Sequence, residues 1–393
     1  MPRIPQTNLM QPTTPNSSTV FTTGFALFSM FFGAGNLIFP LLIGKATSGN
    51  FGYAVFGLAL TAVIVPFLGL AGMIFFQANY RNFLGRIGRI PGLLLLLLLQ
   101  LILGPVGVIP RLFTLMHAIL KPYLLSISLP LFCLFAALII FLCSFKKQNL
   151  IGILGIILTP ILLISLACLF TSGLVYPGVT PTFEVSPWDS FMQGLLGGYN
   201  TMDLIAAFLF ATVVLPHFKN ETYSDKDLNK RVFFSCLIAA TLLLATYIGL
   251  CFISSAHAPS LVGGSEDLLG QIANKLLGPI GGFIAAIAII TACLTTAITL
   301  TLIFADYLAM DLCKEKLQPI PALILTLLVS TLFANLGFKG ITLFLGPILG
   351  ICYPGLIVLT ILNIIYYKTG FKAVKLPVFL TFAASTILYF VKS

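Results

Sequence analysis

"FSMFFGAGNLIFP", Phe28 to Pro40, begins and ends as apolar helix but carries Gly33-Ala34-Gly35-Asn36 in its middle. Each glycine inside a helix costs about 1 kcal/mol relative to alanine, and asparagine adds a polar side chain to an apolar run. In water this would be a weak helix. Inside a bilayer it is a defined break, because backbone groups freed from a helix survive there only where protein or a wet cavity satisfies them.

The rest of the chain makes it a membrane protein. Of its 393 residues 59% are hydrophobic and 8% charged, against about 25% charged in soluble domains. Mean hydropathy is +1.08. The net charge of +10 is therefore an orientation signal, and no nucleic-acid partner is expected. The eight cysteines are scattered through apolar runs without metal or CxxC spacing, and read as small hydrophobes in a reducing or lipid setting. Residues 1–19 are polar and proline-rich. They lack the apolar core that follows the charged start of a signal peptide, and read as a disordered cytoplasmic tail.

A spanning helix needs about 20 mostly apolar residues. Candidates lie near 20–44, 51–76, 91–117, 124–144, 150–174, 190–216, 232–256, 277–305, 319–336, 340–366 and 376–391. These make about 11 transmembrane helices in one all-α polytopic domain over 20–391. With the N-terminus inside, 15 of the 21 Lys and Arg residues fall in cytoplasmic segments, as the positive-inside rule requires. Glu184, Asp189, Glu266 and Asp267 fall outside.

A second break, "GLLGGYNTMD" (Gly194–Asp203), interrupts span six. Spans one to five (about 20–174) and six to ten (about 190–366) then form two halves of opposite topology, a 5+5 inverted repeat with discontinuous helices one and six, followed by an extra helix at 376–391. Glycine-interrupted segments at matching places in two halves point to a transporter's central site. The inner half of span one ends near Phe32 with bare carbonyls, suited to a cation. The outer half starts near Gly35 with bare amides, suited to a carboxylate. The plainer alternative is that the glycines only let helices pack closely, although Gly33-Ala34-Gly35 lacks GxxxG spacing.

Five stretches resemble the branched-chain amino acid carrier family. "FFGAGNLIFP" (31–40) is similar to its first-helix motif, "GPVGVIPR" (104–111) to its third and "GYNTMDLIAAFLF" (198–210) to its sixth. "ACLTTAITLT" (292–301) resembles its eighth helix, and "ANLGF" with "CYPGL" (334–356) its ninth and tenth. The resemblance implies a leucine-transporter-type fold, alternating access and a sodium ion between helices one and eight. The implied ligands are backbone oxygens of Ser29, Phe32 and Ala292 and hydroxyls of Thr295 and Thr296. Asn200, Leu112 and Ala118 depart from the family pattern.

The remaining polar residues carry two readings each. Asp203, a carboxylate within the apolar core, is either a site residue or the cap of the inner half of span six. The cap reading is favoured by its spacing from Asn200, and makes Asp203 structural support. Gly33, Ala34, Gly35 and Asn36 of the first break, with Tyr199, Asn200 and Thr201 of the second, are candidate substrate contacts, or loop residues bonding locally. Asn36 can bridge the breaks, since its amide both donates and accepts. Thr295 and Thr296 bind a cation or bond their own helix. Arg111 reads as a snorkelling residue at the outer end of span three. His117 and His257 are expected in outer loops, His217 at an inner helix end, and Asp306 and Asp311 as solvated groups at the inner mouth.

The expected function is a secondary active symporter of the cell inner membrane. It imports leucine, isoleucine and valine with sodium as coupling ion and needs no cofactor. The alternatives are a proton-coupled carrier, a channel or a membrane-embedded enzyme. A channel needs a continuous polar lining, and an enzyme a clustered acid/base set. Neither is visible in the sequence, which leaves the oligomeric state open.

Overall fold

A computed structural model describes residues 18–123, 127–144, 159–176, 178, 185–219, 225–257 and 264–392. The expected polar tail falls almost wholly outside them. The first span is two helices, α1 (Ser18–Phe31) and α2 (Ala34–Thr47), bent by 69° at the glycine break. Then come α3 (Phe51–Phe75), a short α4 (Tyr80–Gly85) and α5 (Arg89–Leu120). Helices α6 (Leu129–Ser144) and α7 (Thr159–Val175) complete the first half. The second half opens with α8 (Pro187–Gly197), a 3-10 turn (Gly198–Thr201) and α9 (Asp203–Lys219). It continues through α10 (Asp225–His257), α11 (Leu268–Leu312), α12 (Pro319–Ala334) and α13 (Gly337–Thr369), and α14 (Lys375–Lys392) follows.

Among the described residues six spans are long and apolar enough to cross a membrane, α8 and α9 counting as one through the 3-10 turn, and the α1–α2 pair makes a seventh when taken as one span. Four shorter apolar helices, α6, α7, α12 and α14, lie where spans four, five, nine and eleven were expected. Both breaks fall where the glycines predict them.

Burial separates a core from a lipid-facing shell. In the α8–α9 segment 78% of the apolar window is buried, against 39% in α13. The second broken span is therefore central and α13 peripheral, and an apolar helix buried all round belongs to a protein core. Both α1 and α2 pack on α10, while α3 runs along both α8 and α9. Helix α11 contacts α1, α2, α5 and α7. Leu376, Leu380, Leu388 and Phe390 of α14 are exposed, an apolar face that suits lipid.

At the ends the structure corrects the sequence reading. Asp311 is not a free solvated group. It forms an ion pair with Arg81 and accepts a hydrogen bond from the Tyr80 hydroxyl, tying α4 to the end of α11. Burial, then the Asp311 carboxylate, raises the Tyr80 phenol above its usual range, so it stays a donor. The Arg81 side chain is 52% exposed, and exposed pairs contribute about 0–1 kcal/mol. Asp311→Asn is expected to lower thermal stability by less than about 1 kcal/mol. His117 lies in the last turn of α5 rather than a loop, its ring 2.9 Å from the Ile127 carbonyl. His257 is the buried last residue of α10.

Candidate functional site

Two unwound segments cross at the centre. Gly33 is extended (φ −108°, ψ −167°) between α1 and α2. Its N–H donates to the Phe31 carbonyl (2.8 Å) and to Asn36 Oδ1 (3.3 Å). The first amides of α2 have no intrahelical acceptor and the last carbonyls of α1 no intrahelical donor. Pro40 lengthens the opening, because it has no N–H to give the Asn36 carbonyl one turn back. On the other segment Met202 takes a left-handed conformation (φ 63°) between the 3-10 turn and α9. A non-glycine residue there costs about 1–2 kcal/mol, which the surrounding packing must offset.

The segments touch at Gly35. A Cβ on Gly35 would lie 3.0 Å from Thr201 Cα and 3.2 Å from the Asn200 carbonyl oxygen, whereas one on Gly33 meets nothing closer than 3.6 Å. Gly35 thus serves close approach of the two breaks, and Gly33 serves the break itself. Gly35→Ala is expected to destabilise the protein by about 1–3 kcal/mol, the usual cost of overpacking. Gly33→Ala should leave the unfolding temperature nearly unchanged. Equal effects in a thermal melt would remove this distinction.

Asn36 bridges the breaks as expected. Its amide nitrogen donates to both carboxylate oxygens of Asp203, at 2.9 and 2.8 Å, and approaches the Tyr247 hydroxyl. Tyr247 donates to Asp203 Oδ2 at 2.9 Å. The cap reading of Asp203 therefore gives way. Its carboxylate joins α2, α9 and α10, and its exposure is 1%. The capping task at the start of α9 passes partly to Tyr353 of α13, whose hydroxyl accepts the Leu204 N–H at 3.0 Å.

Between the breaks lies a cavity of about 20 Å³, room for a water. Gly33, Ala34, Gly35, Asn36, Thr201 and Asp203 line one side of it. Its apolar wall includes Leu103, Val108, Phe210 and Leu300, from α5, α9 and α11. The structure does not bring Tyr199 or Asn200 to this wall. Tyr199 stacks on Tyr353 at 4.6 Å between ring centroids, and Asn200 contributes its carbonyl to Arg111. The Thr201 hydroxyl donates to the Gly198 carbonyl at 2.8 Å.

Arg111 corrects the sequence reading most. It does not snorkel. It is 1% exposed and lines the same cavity. Its guanidinium donates to the Asn200 carbonyl at 3.0 Å and lies 5.5 and 5.6 Å from the ring centres of Phe39 and Phe338.

Next to the cavity, α1 and α11 gather oxygen atoms. The Thr296 hydroxyl lies 3.3 Å from the Ser29 carbonyl and 3.2 Å from that of Ala292. Thr295 donates to the Ala292 carbonyl at 2.8 Å. Ser29, Ala292, Thr295 and Thr296 are thus together. The Phe32 ring stacks on Phe28, and its carbonyl lies at the end of α1, one residue before Gly33. Bonding to their own helix, the alternative use of the threonines, is present too, but each hydroxyl keeps lone pairs that can face a cation.

Residues 16–392 match the family described as "Branched-chain amino acid transport protein". The branched-chain amino acid permease BraB of Bacillus subtilis is 31% identical over 91% of this chain and 82% of its own length. The permease BrnQ of the same organism is 29% identical over 89% and 82%. Among solved structures, the inward facing conformation of Mhp1 aligns with TM-score 0.62 at 14% identity, over 94% of this chain and 89% of that one. A Na+-coupled sialic acid symporter in an outward-open state aligns with TM-score 0.55 at 12% identity, over 94% and 88%. These two likenesses establish a shared fold.

Proposed function

The chain belongs to the branched-chain amino acid transport protein family, and from that premise we propose that it imports leucine, isoleucine and valine by symport with sodium. It is a multi-pass membrane transporter and not an enzyme. The observation that carries the proposal is the meeting of both breaks on one cavity beside the oxygen cluster of Ser29, Ala292, Thr295 and Thr296. The cavity seen here has room for a water only, so the substrate binds in a state in which it is wider, with its carboxylate at the amide end of α2. Carbonyls at the end of α1 and in the 3-10 turn take the ammonium, and the wall around Leu103, Phe210 and Leu300 takes the aliphatic side chain.

Sodium prefers hard oxygen ligands, and neutral carbonyls and hydroxyls between α1 and α11 supply them without a change of protonation. The ion shifts the carrier between outward-open and inward-open states only by its difference in affinity for the two. Binding from a high-sodium exterior and release to a low-sodium cytoplasm then drive the cycle. The two halves act as inverted repeats in the inner membrane, with the N-terminus in the cytoplasm, as the distribution of Lys and Arg supports.

A second reading, proton coupling, is favoured by one observation: the buried Asp203 on the cavity wall. Thermal unfolding of the purified protein separates the two. Leucine at about 100 times its Kd stabilises a binding protein by about 2.7 kcal/mol. That shift is expected in sodium chloride and not in choline chloride. An equal shift in both salts that follows pH instead supports the proton. No shift with any aliphatic amino acid removes the substrate assignment.

A further inference from the structure

We infer that the Arg111 guanidinium is a substrate-binding group that pairs with the carboxylate of the incoming amino acid. The inference rests on the amino-acid transport reading above and extends it, since the amides of α2 alone do not account for this charge.

Arginine stays protonated in proteins, and burying its charge is costly unless it is paired. Arg111 is 1% exposed, yet no described carboxylate forms an ion pair with it. One terminal nitrogen reaches the Asn200 carbonyl. Nε and the other terminal nitrogen are buried with no hydrogen-bond partner. Nε and one terminal nitrogen form the fork that grips a carboxylate with two parallel hydrogen bonds. The residue lines the central cavity, and these two nitrogens have no protein partner there.

Asp203 lines the same cavity, but its carboxylate is held by Asn36 and Tyr247. The cavity therefore carries one buried cation and one buried anion that are not paired with each other. A zwitterion presents the opposite pattern. Its carboxylate fills the fork of Arg111, with the first amides of α2 on the same side, and its ammonium turns toward the carbonyls and Asp203. An aliphatic carboxylic acid without the amine satisfies half of this pattern, and an amino amide satisfies the other half. Arg111 also holds the second break through the Asn200 carbonyl.

The test pairs a protein change with a ligand change. Leucine and leucinamide are titrated against full-length protein in nanodiscs, wild type, Arg111→Gln and Arg111→Lys, with sodium present. The wild type is expected to prefer leucine by about 100-fold or more, since a site built to bond a polar group rejects an analogue that lacks it. Arg111→Gln should weaken leucine by a similar factor and leucinamide only a few-fold, so that the preference collapses. Arg111→Lys, which keeps the charge but loses the fork, should fall between them, and it carries the test if the glutamine variant does not fold. A preference that survives in both variants, with leucine and leucinamide weakened equally, overturns the proposal and leaves Arg111 a purely structural link to Asn200. If the wild type binds neither leucine nor any other aliphatic amino acid, the transport reading itself fails and the proposal fails with it.

Discussion

The double substitution Thr295→Val with Thr296→Val is expected to abolish sodium activation of leucine uptake in a protein that still folds. Valine keeps the shape of threonine and removes only the hydroxyl. Both hydroxyls reach the Ala292 carbonyl within α11, and that of Thr296 also reaches the Ser29 carbonyl; the hydroxyls are the donors, so their loss leaves no buried donor unpaired. Stability should fall little. An interaction of a hydroxyl with a charged group contributes about 1.5–3 kcal/mol. Two such losses weaken sodium by about 10²–10⁴-fold. Uptake at fixed leucine, measured against sodium concentration, should show the half-activating concentration moved beyond reach. Retention of the wild-type sodium curve would place the ion elsewhere.

Asp203→Asn should be the most damaging conservative change at the site. The Asn36 amide and the Tyr247 hydroxyl both donate to this carboxylate. The substituted amide offers one oxygen and presents an N–H to the other donor. A buried donor left unsatisfied costs about 1–3 kcal/mol. The penalty falls where α2, α9 and α10 meet, so leucine transport should drop by about 5- to 150-fold. The variant also separates the two coupling readings. With sodium coupling, residual uptake stays sodium-dependent. With proton coupling through Asp203, gradient-driven uptake disappears while leucine exchange at equal pH survives. Tyr247→Phe removes one donor and keeps the carboxylate, and should cost less than Asp203→Asn in the same assay.

Much of this was legible in the sequence. The apolar segments and the two glycine-rich breaks are local signals, and each follows from what a bilayer permits. The bent pair α1–α2 and the 3-10 turn at Gly198–Thr201 lie where the residues predict them. The role of Asn36 was also readable, because an amide in an apolar helix must find partners.

The partners themselves were not. Tyr247 is the one tyrosine in the apolar run of α10, and Tyr353, although it lies in CYPGL, has no neighbour that names its partner; they meet Asp203 and Leu204 only through the packing. Arg111 was misjudged for a similar reason. Counting residues along span three sets it near an end, but what holds it at the centre is Asn200, 89 positions away, with the neighbouring rings of Phe39 and Phe338 against it. Asp203 was read as a cap because its neighbours have capping spacing, whereas its acceptor oxygens are taken by side chains from two other helices. Long-range contact, not local pattern, decided each of these.

The most direct measurement is uptake of radiolabelled leucine by liposomes holding the purified full-length protein, with an inward gradient of sodium, of protons, or of neither. Accumulation above the equilibrium level with the sodium gradient alone, suppressed by unlabelled isoleucine and valine, is the expected result. Accumulation that follows the proton gradient and ignores sodium would contradict it.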